Sequence, residues 1–182
     1  MDKRTKYTME QIKSTLLGLL DTHSFETITV TMICEQTSIS RRTFYNHFSD
    51  KFEVIDEIMN DYTQAMRQAA SESTPENFKQ GILNGFNFIH KNKVVFIKLY
   101  KSPVSNLFLT RLGSVITELV EPKLNHAYLQ MHNISVQTIL VFLTSAVLGI
   151  VIESVTKNDE NYTTKVEEIA TLVKPYFKTK TI

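Results

Sequence analysis

Residues 133–152, NISVQTILVFLTSAVLGIVI, contain no charged side chain and no histidine. A run of that length could span a bilayer. Gln137, Thr138, Thr144 and Ser145 interrupt it, however, and nothing else in the 182 residues resembles a membrane anchor. A helix apolar all round is also what a core on one side and a subunit interface on the other produce. We expect a buried helix from Asn133 or Ser135 to about Val155, and no membrane partner.

The rest of the chain agrees with a helical interior. Five Gly and four Pro are too few for the many turns of a sandwich or barrel. Thr8-Met-Glu-Gln11 has the form of a capping box, followed at helical spacing by Ile12, Leu16, Leu19 and Leu20. Thr29 suits the N-cap of a short second helix ending near Thr37, and Ser40 that of a third, Arg41–Phe48. Ser49 or Asp50 caps a fourth, running from Lys51 to about Ala70 with Phe52, Ile55, Ile58, Met59 and Tyr62 on its inner stripe. Ser71–Thr74 punctuates the chain, and Pro75 suits the first position of the next helix. Phe78, Ile82, Phe86 and Ile89 give that helix a buried side. Further helices are expected at Val94–Tyr100, across 105–131 with Pro122 as a kink or new start, and at Thr163–Phe177 after a polar loop, Lys157–Asn161. The expectation is an all-α chain of about nine helices.

Three short helices in the first fifty residues, the second and third joined by the tight turn Ser38-Ile39-Ser40, form a helix-turn-helix pattern. In such an arrangement the third helix enters the major groove and needs donors on one side and apolar anchors on the other. Residues 41–48, RRTFYNHF, supply both. Phe44 and Phe48 share a face and pack inward toward Ile33 and Ile39. Arg41, Arg42, Thr43, Tyr45, Asn46 and His47 occupy the other faces. Arginine pairs bidentately with guanine and asparagine with adenine, while Tyr45 and His47 can donate to phosphates. Charge alone is mute: residues 1–50 hold six basic and six acidic groups, against the basic footprint usual for nucleic-acid binding. The positive groups nevertheless gather in two knots, 3–6 and 41–42.

Residues 29–55, TVTMICEQTSISRRTFYNHFSDKFEVI, resemble the TetR family of bacterial transcriptional regulators. The resemblance rests on Thr29, Ile33, a small residue at Cys34, Ile39-Ser40, Thr43, an aromatic at Phe44, Tyr45, His47-Phe48 and Lys51. Ser38 departs from it, since the family usually has glycine in this turn, and Arg42 stands where a small residue is common. The resemblance implies that Arg41, Arg42, Thr43 and Asn46 face base edges or their rim. It implies that Thr31, Tyr45, His47 and Lys51 hold phosphates, Lys51 helped by the positive end of its helix. Lys3, Arg4 and Lys6 are candidates for a disordered arm along the DNA backbone or in the minor groove.

It further implies a head of residues 1–52 for DNA and a helical body of residues 53–182 that dimerises and often holds a small molecule. On sequence pattern, Thr138, Phe142, Ser145, Gly149 and Ile152 recur along one stripe of the apolar helix, where Ser145 and Gly149 would let two backbones approach. With Val166, Ile169 and Val173 of the last helix they are the candidate homodimer interface. Phe78, Phe86, Phe96, Tyr100, Phe108 and Tyr128 are candidates for a pocket taking a small apolar or aromatic effector.

Enzyme readings lack parts. His23, His90, His126 and His132 have neither metal-ligand spacing nor an adjacent partner, and there is no GxSxG, phosphate-cradling glycine loop or HExxH. No metal or cofactor is expected. The lone Cys34 rules out an internal disulfide and a cysteine-rich zinc site. The charged opening Met1–Tyr7, with no apolar run after it, points to the cytoplasm. The expected function is a sequence-specific repressor released from a palindromic double-stranded operator by a small-molecule effector. The alternatives are an activator or protein-controlled regulator of the same fold, or a membrane-associated helical interaction protein.

Overall fold

The computed structural model describes residues 2–71, 78–157 and 161–178. Among these the chain forms ten α-helices: α1 Lys3–Leu19, α2 Val30–Thr37, α3 Arg41–Tyr45, α4 Lys51–Ser71, α5 Phe78–Lys91, α6 Lys93–Lys101, α7 Ser105–Val120, α8 His126–Met131, α9 Val136–Thr156 and α10 Tyr162–Val173. Two short 3₁₀ turns, Glu121–Lys123 and Lys174–Tyr176, each contain a proline that cannot continue the preceding helix. No strand occurs among the described residues; a single antiparallel bridge joins Leu124 to Phe177. Pro75 and residues 72–74 lie outside the described residues, as do 158–160 of the polar loop.

Local chemistry sets most of the boundaries. The Thr29 hydroxyl accepts from the Met32 amide at 3.2 Å, Ser40 from Thr43 at 3.0 Å and Ser135 from Thr138 at 3.1 Å, each satisfying a donor the first turn leaves orphaned. Asp50, of the two candidates, opens α4, its carboxylate accepting from Phe52 and Glu53. Glu53 accepts in return from the Ser49 amide at 2.5 Å, which holds its carboxyl below the usual range.

The N-terminal expectation is corrected. Thr8 lies inside α1, which starts five residues earlier at Lys3, and its hydroxyl donates to the Arg4 carbonyl. Lys3, Arg4 and Lys6 therefore ride on the first turns of a helix instead of forming an arm. The capping-box pattern misled because Thr8 and Gln11 find other partners within the helix, Gln11 donating to the Tyr7 hydroxyl.

One contiguous core joins the helices, and α4 is its spine, packing against α1, α5 and α7. Ile55, Ile58 and Met59 on α4 are buried as expected, but Phe52 is 57% exposed, turned edge-on toward Phe25. The expected boundary at 52/53 falls in the first turn of this helix. Polar ties hold α4 to its neighbours: Lys13 of α1 reaches Asp61 as well as Glu10, and Arg111 of α7 pairs with Asp56. Burial alone would lower the Lys13 pKa, but the two carboxylates outweigh it and hold the ammonium above its ordinary value. Lys98 of α6 donates to the Leu17 carbonyl at 2.7 Å and to Asp21 at 2.8 Å, pinning the end of α1 to the body.

Candidate nucleic-acid interface and body cavity

Between α2 and α3 the chain reverses through Ser38, whose φ of 57° and ψ of 41° are left-handed. The Ile39 amide closes the end of α2 on the Cys34 carbonyl at 3.0 Å, the type of closure that glycine usually provides. Serine thus occupies the glycine conformation without glycine's freedom, and the turn is preserved at a steric cost.

The Ser40 cap starts α3, and the inward anchors follow. Phe44 and Phe48 are buried, with ring centroids 6.0 Å apart, and Ile33 is buried in the same core. Regular α-helix ends at Tyr45, three residues short of expectation, although the Phe48 amide still reaches the Phe44 carbonyl at 3.0 Å. Arg41, Arg42, Tyr45 and Asn46 are exposed, and Thr43 and His47 half-buried. Tyr45 stands edge-on to Phe44 at 5.5 Å, which fixes its ring while leaving its hydroxyl outward. Arg41 donates to the Thr31 hydroxyl at 2.5 Å, joining the start of α2 to the start of α3. Cys34 is buried, and burial raises its thiol pKa.

Lys51 departs from the expected phosphate role. Its ammonium donates to the carbonyls of Phe25 at 2.7 Å, Glu26 at 3.0 Å and Ile28 at 2.7 Å, and lies 4.9 Å from the Phe25 ring centroid. All three donors of a lysine are spent on the link between α1 and α2. Sequence alone had no way to find this, because the link is extended and its carbonyls converge only after α4 packs beside it.

Residues 76–177 match a TetR-type family model described as a transcriptional regulator C-terminal region. The chain belongs to the TetR family of transcriptional regulators. It is 25% identical over 93 residues to the uncharacterized HTH-type transcriptional regulator YxbF of Bacillus subtilis (strain 168), an alignment covering 47% of this chain and 24% of that one. The chain therefore spans about a quarter of the length of that relative. Its fold is similar to that of a TetR-family transcriptional regulator from Syntrophomonas wolfei, with a TM-score of 0.73 and 15% identity over 93% of this chain and 94% of the other. It is also similar to the dihydroxyacetone kinase operon activator DhaS, with a TM-score of 0.62 and 16% identity over 94% and 98%. These relatives are regulators and not enzymes.

In this TetR-family body the expected aromatic pocket divides into two. Phe78 and Phe86 line a cavity of about 80 Å³ between α4, α5, α7, α9 and α10. Phe96 and Phe108 instead are solid core, Phe96 packing edge-on against Tyr62, Phe88 and Phe108. Tyr100 is only half-buried and does not line the cavity, and Tyr128 packs against His132 and Tyr176. An aromatic stripe marks an inward face and cannot tell a filled interior from a hollow one. The hollow follows small residues: Gly81 and Gly85, four apart on α5, both line it, and a side chain at Gly85 would first meet Ala70 of α4 at 3.9 Å. That Gly-x-x-x-Gly spacing is the signal the sequence offers for the hollow.

The dimer stripe is divided in the same way. Thr138, Phe142, Ser145 and Gly149 are exposed along α9, Phe142 by 57%, with Ile152 half-buried and Val141 exposed beside them. Only a third of the most apolar stretch of α9 is buried, so the helix is not wholly interior. Val166, Ile169 and Val173 are corrected: all three are buried inside the protomer, where α10 packs on α5. The exposed apolar residue of α10 is Leu172, 75% exposed. Helical spacing identified the apolar face of α10 but not which neighbour covers it.

Proposed function

We propose that the protein is a homodimeric transcription regulator that reads a palindromic operator with α3 and lets go of it when a small molecule fills the body cavity. The observation carrying the reading is the two-sided α3. Buried Phe44 and Phe48 fix the helix on the head, residues 1–52, and leave Arg42 and Asn46 exposed beside Tyr45. Arg42 and Asn46 are assigned to base edges, with Thr43 at their rim. Arg41, held by Thr31, sits at the edge of this surface, and Tyr45 and His47 are assigned to phosphates. Lys51 acts by positioning, through the carbonyls it gathers.

Dimerisation is the way TetR-family regulators act, and the uncharged outer stripe of α9 is the natural contact. Its exposed Phe142 and Val141 are the kind of contiguous apolar surface that marks an interaction site. Nothing lies within 4 Å of a side chain built at Gly149, so a second backbone has room to approach there. A two-fold dimer presents two readers, which must match major grooves about 34–36 Å apart or a multiple. Met66 and Ala70 on the far half of α4 line the cavity, and its near end caps at Asp50 beside the head. A ligand preferring one tilt of α4 shifts that spacing, with a typical coupling of about 1–3 kcal/mol. The likeness to the activator DhaS keeps activation as the second reading. Either mode places the protein in the cytoplasm with its DNA.

The test is selection of genomic fragments by the pure protein, followed by affinity measurements on the recovered site. A palindromic consensus bound by wild type but not by Arg42→Ala/Asn46→Ala supports the reading. Equal affinity for the recovered and random duplexes would sink it.

A further inference from the structure

Head and body are tied together by one polar side chain. Among the described residues, every hydrogen bond between residues 2–52 and residues 78–178 comes from Lys98 of α6. Its ammonium donates to the Leu17 carbonyl at 2.7 Å and to the Asp21 carboxylate at 2.8 Å, and its side chain is only 16% exposed. Around it, the end of α1 and the link that follows face the end of α6 across a cleft of about 380 Å³. Leu20, His23, Glu26, Ile97, Lys101 and Pro103 are among its walls. Side-chain packing leaves the joint open there, and the lysine bridges it.

The carbonyl that Lys98 takes is one the backbone leaves over. The amides of Leu20, Asp21, Thr22 and His23 close on the carbonyls of Leu16, Gly18 and Leu19, and pass over Leu17. Leu17 is thereby an orphaned acceptor in the last turn of α1, at the negative end of the helix dipole. Lys98 lies in the last turn of its own helix, so one ammonium serves the negative ends of two helices. From α1 the position of α3 follows through packed elements. α1 packs on α2 and α4, and the Thr37 hydroxyl of α2 donates to that of Thr15 in α1 at 3.1 Å. Lys51 gathers the α1–α2 link from the start of α4, and the Ser38 turn sets α3 on α2. A body attached at one place can swing about it, and a second attachment fixes the angle. α4 is one attachment of the head, held to α7 by the Arg111–Asp56 pair. Lys98 supplies a second.

We propose that Lys98 is a positioning residue for operator reading: capping α1 from the body, it fixes the angle of the head and so the half-site spacing the dimer accepts. This rests on the homodimer-and-operator reading above and names the residue that sets its spacing. One base pair between half-sites shifts them by about 3.4 Å and turns them by about 34–36°. A fixed head rejects that change, and a loosened head tolerates it.

The experiment uses the recovered operator and two versions of it, with one base pair inserted at or deleted from the centre. Each is bound to the full chain at one salt concentration, since affinity for DNA moves with salt. The quantity read is the ratio of affinities for native and altered spacing on the same protein, from which a uniform loss of folded protein cancels. Wild type should prefer the native spacing. Lys98→Met should narrow the ratio roughly tenfold, the worth of one charged hydrogen bond, while sedimenting as wild type does. Lys98→Arg, which keeps a cationic donor, should retain the wild-type preference. A Lys98→Met ratio equal to that of wild type overturns the assignment, as does a Lys98→Arg variant as permissive as Lys98→Met. A narrowed ratio in a Lys98→Met protein that sediments as a monomer also overturns it, because the change then comes from lost assembly. A wild type that prefers the recovered operator to random duplex but accepts every spacing alike sinks this inference alone. One that binds all duplexes alike sinks the regulator reading.

Discussion

Ser38→Gly should stabilise the protein without changing how it reads DNA. The turn holds residue 38 at φ 57° and ψ 41°, where a β-carbon crowds the following carbonyl at a cost of about 1–2 kcal/mol. Glycine removes that cost but gives the unfolded chain more freedom, worth about 0.5–1 kcal/mol in the opposite sense. The net gain is about 0.5–1 kcal/mol. Ser38 is exposed, so no packing is lost, and the Ile39 and Ser38 amides that close α2 remain in place. The assay is urea unfolding at a single protein concentration, since a dimer's midpoint moves with concentration. With a slope of about 2 kcal/mol/M the midpoint should rise by about 0.3–0.5 M. Ser38→Ala is the control: it keeps the β-carbon and should gain nothing. A Ser38→Gly midpoint equal to or below wild type, or an Ala variant as stabilised as the Gly one, would refute the strain argument. A changed operator affinity would show that serine tunes the angle between α2 and α3.

Four further outcomes follow from the same geometry. Arg42→Ala should cost about 1–3 kcal/mol of operator affinity and relax preference at one base pair; a uniform loss on all sequences would move Arg42 to the phosphates. Lys51→Met should lower stability by about 2 kcal/mol through its lost carbonyl bonds yet leave the salt dependence of DNA binding unchanged, whereas a slope reduced by about 1 would restore a phosphate contact. Gly149→Arg should fold, because the site is open in the protomer, but sediment as a monomer; a dimer of unaltered affinity would place the interface elsewhere. Cys34, with its thiol pKa raised by burial, should react slowly with a thiol reagent at pH 8 and quickly in urea, and fast labelling of the folded protein would contradict its burial.

What nearest-neighbour chemistry decides is legible before the chain folds. Thr29, Ser40 and Ser135 each place a hydroxyl three residues ahead of an orphaned amide, so the starts of α2 and α3 are written locally to the residue, and that of α9 to a choice between Asn133 and Ser135. Phe44 and Phe48 lie one turn apart, which fixes the inward side of α3 and hence its outward one. Where a local pattern has competing partners it misleads: Thr8 satisfies a carbonyl within α1 and caps nothing. Tertiary structure alone decided what covers each apolar face. Periodicity is a property of one helix, whereas burial belongs to a pair. Val166, Ile169 and Val173 on α10 and Phe142 on α9 therefore look equivalent in sequence, yet α5 buries the first three and leaves Phe142 to solvent or a partner. The same holds for Lys51, whose three acceptors become neighbours only when α4 docks against the α1–α2 link. It holds too for the cavity, since a void is a failure of several helices to meet and no single segment can encode it.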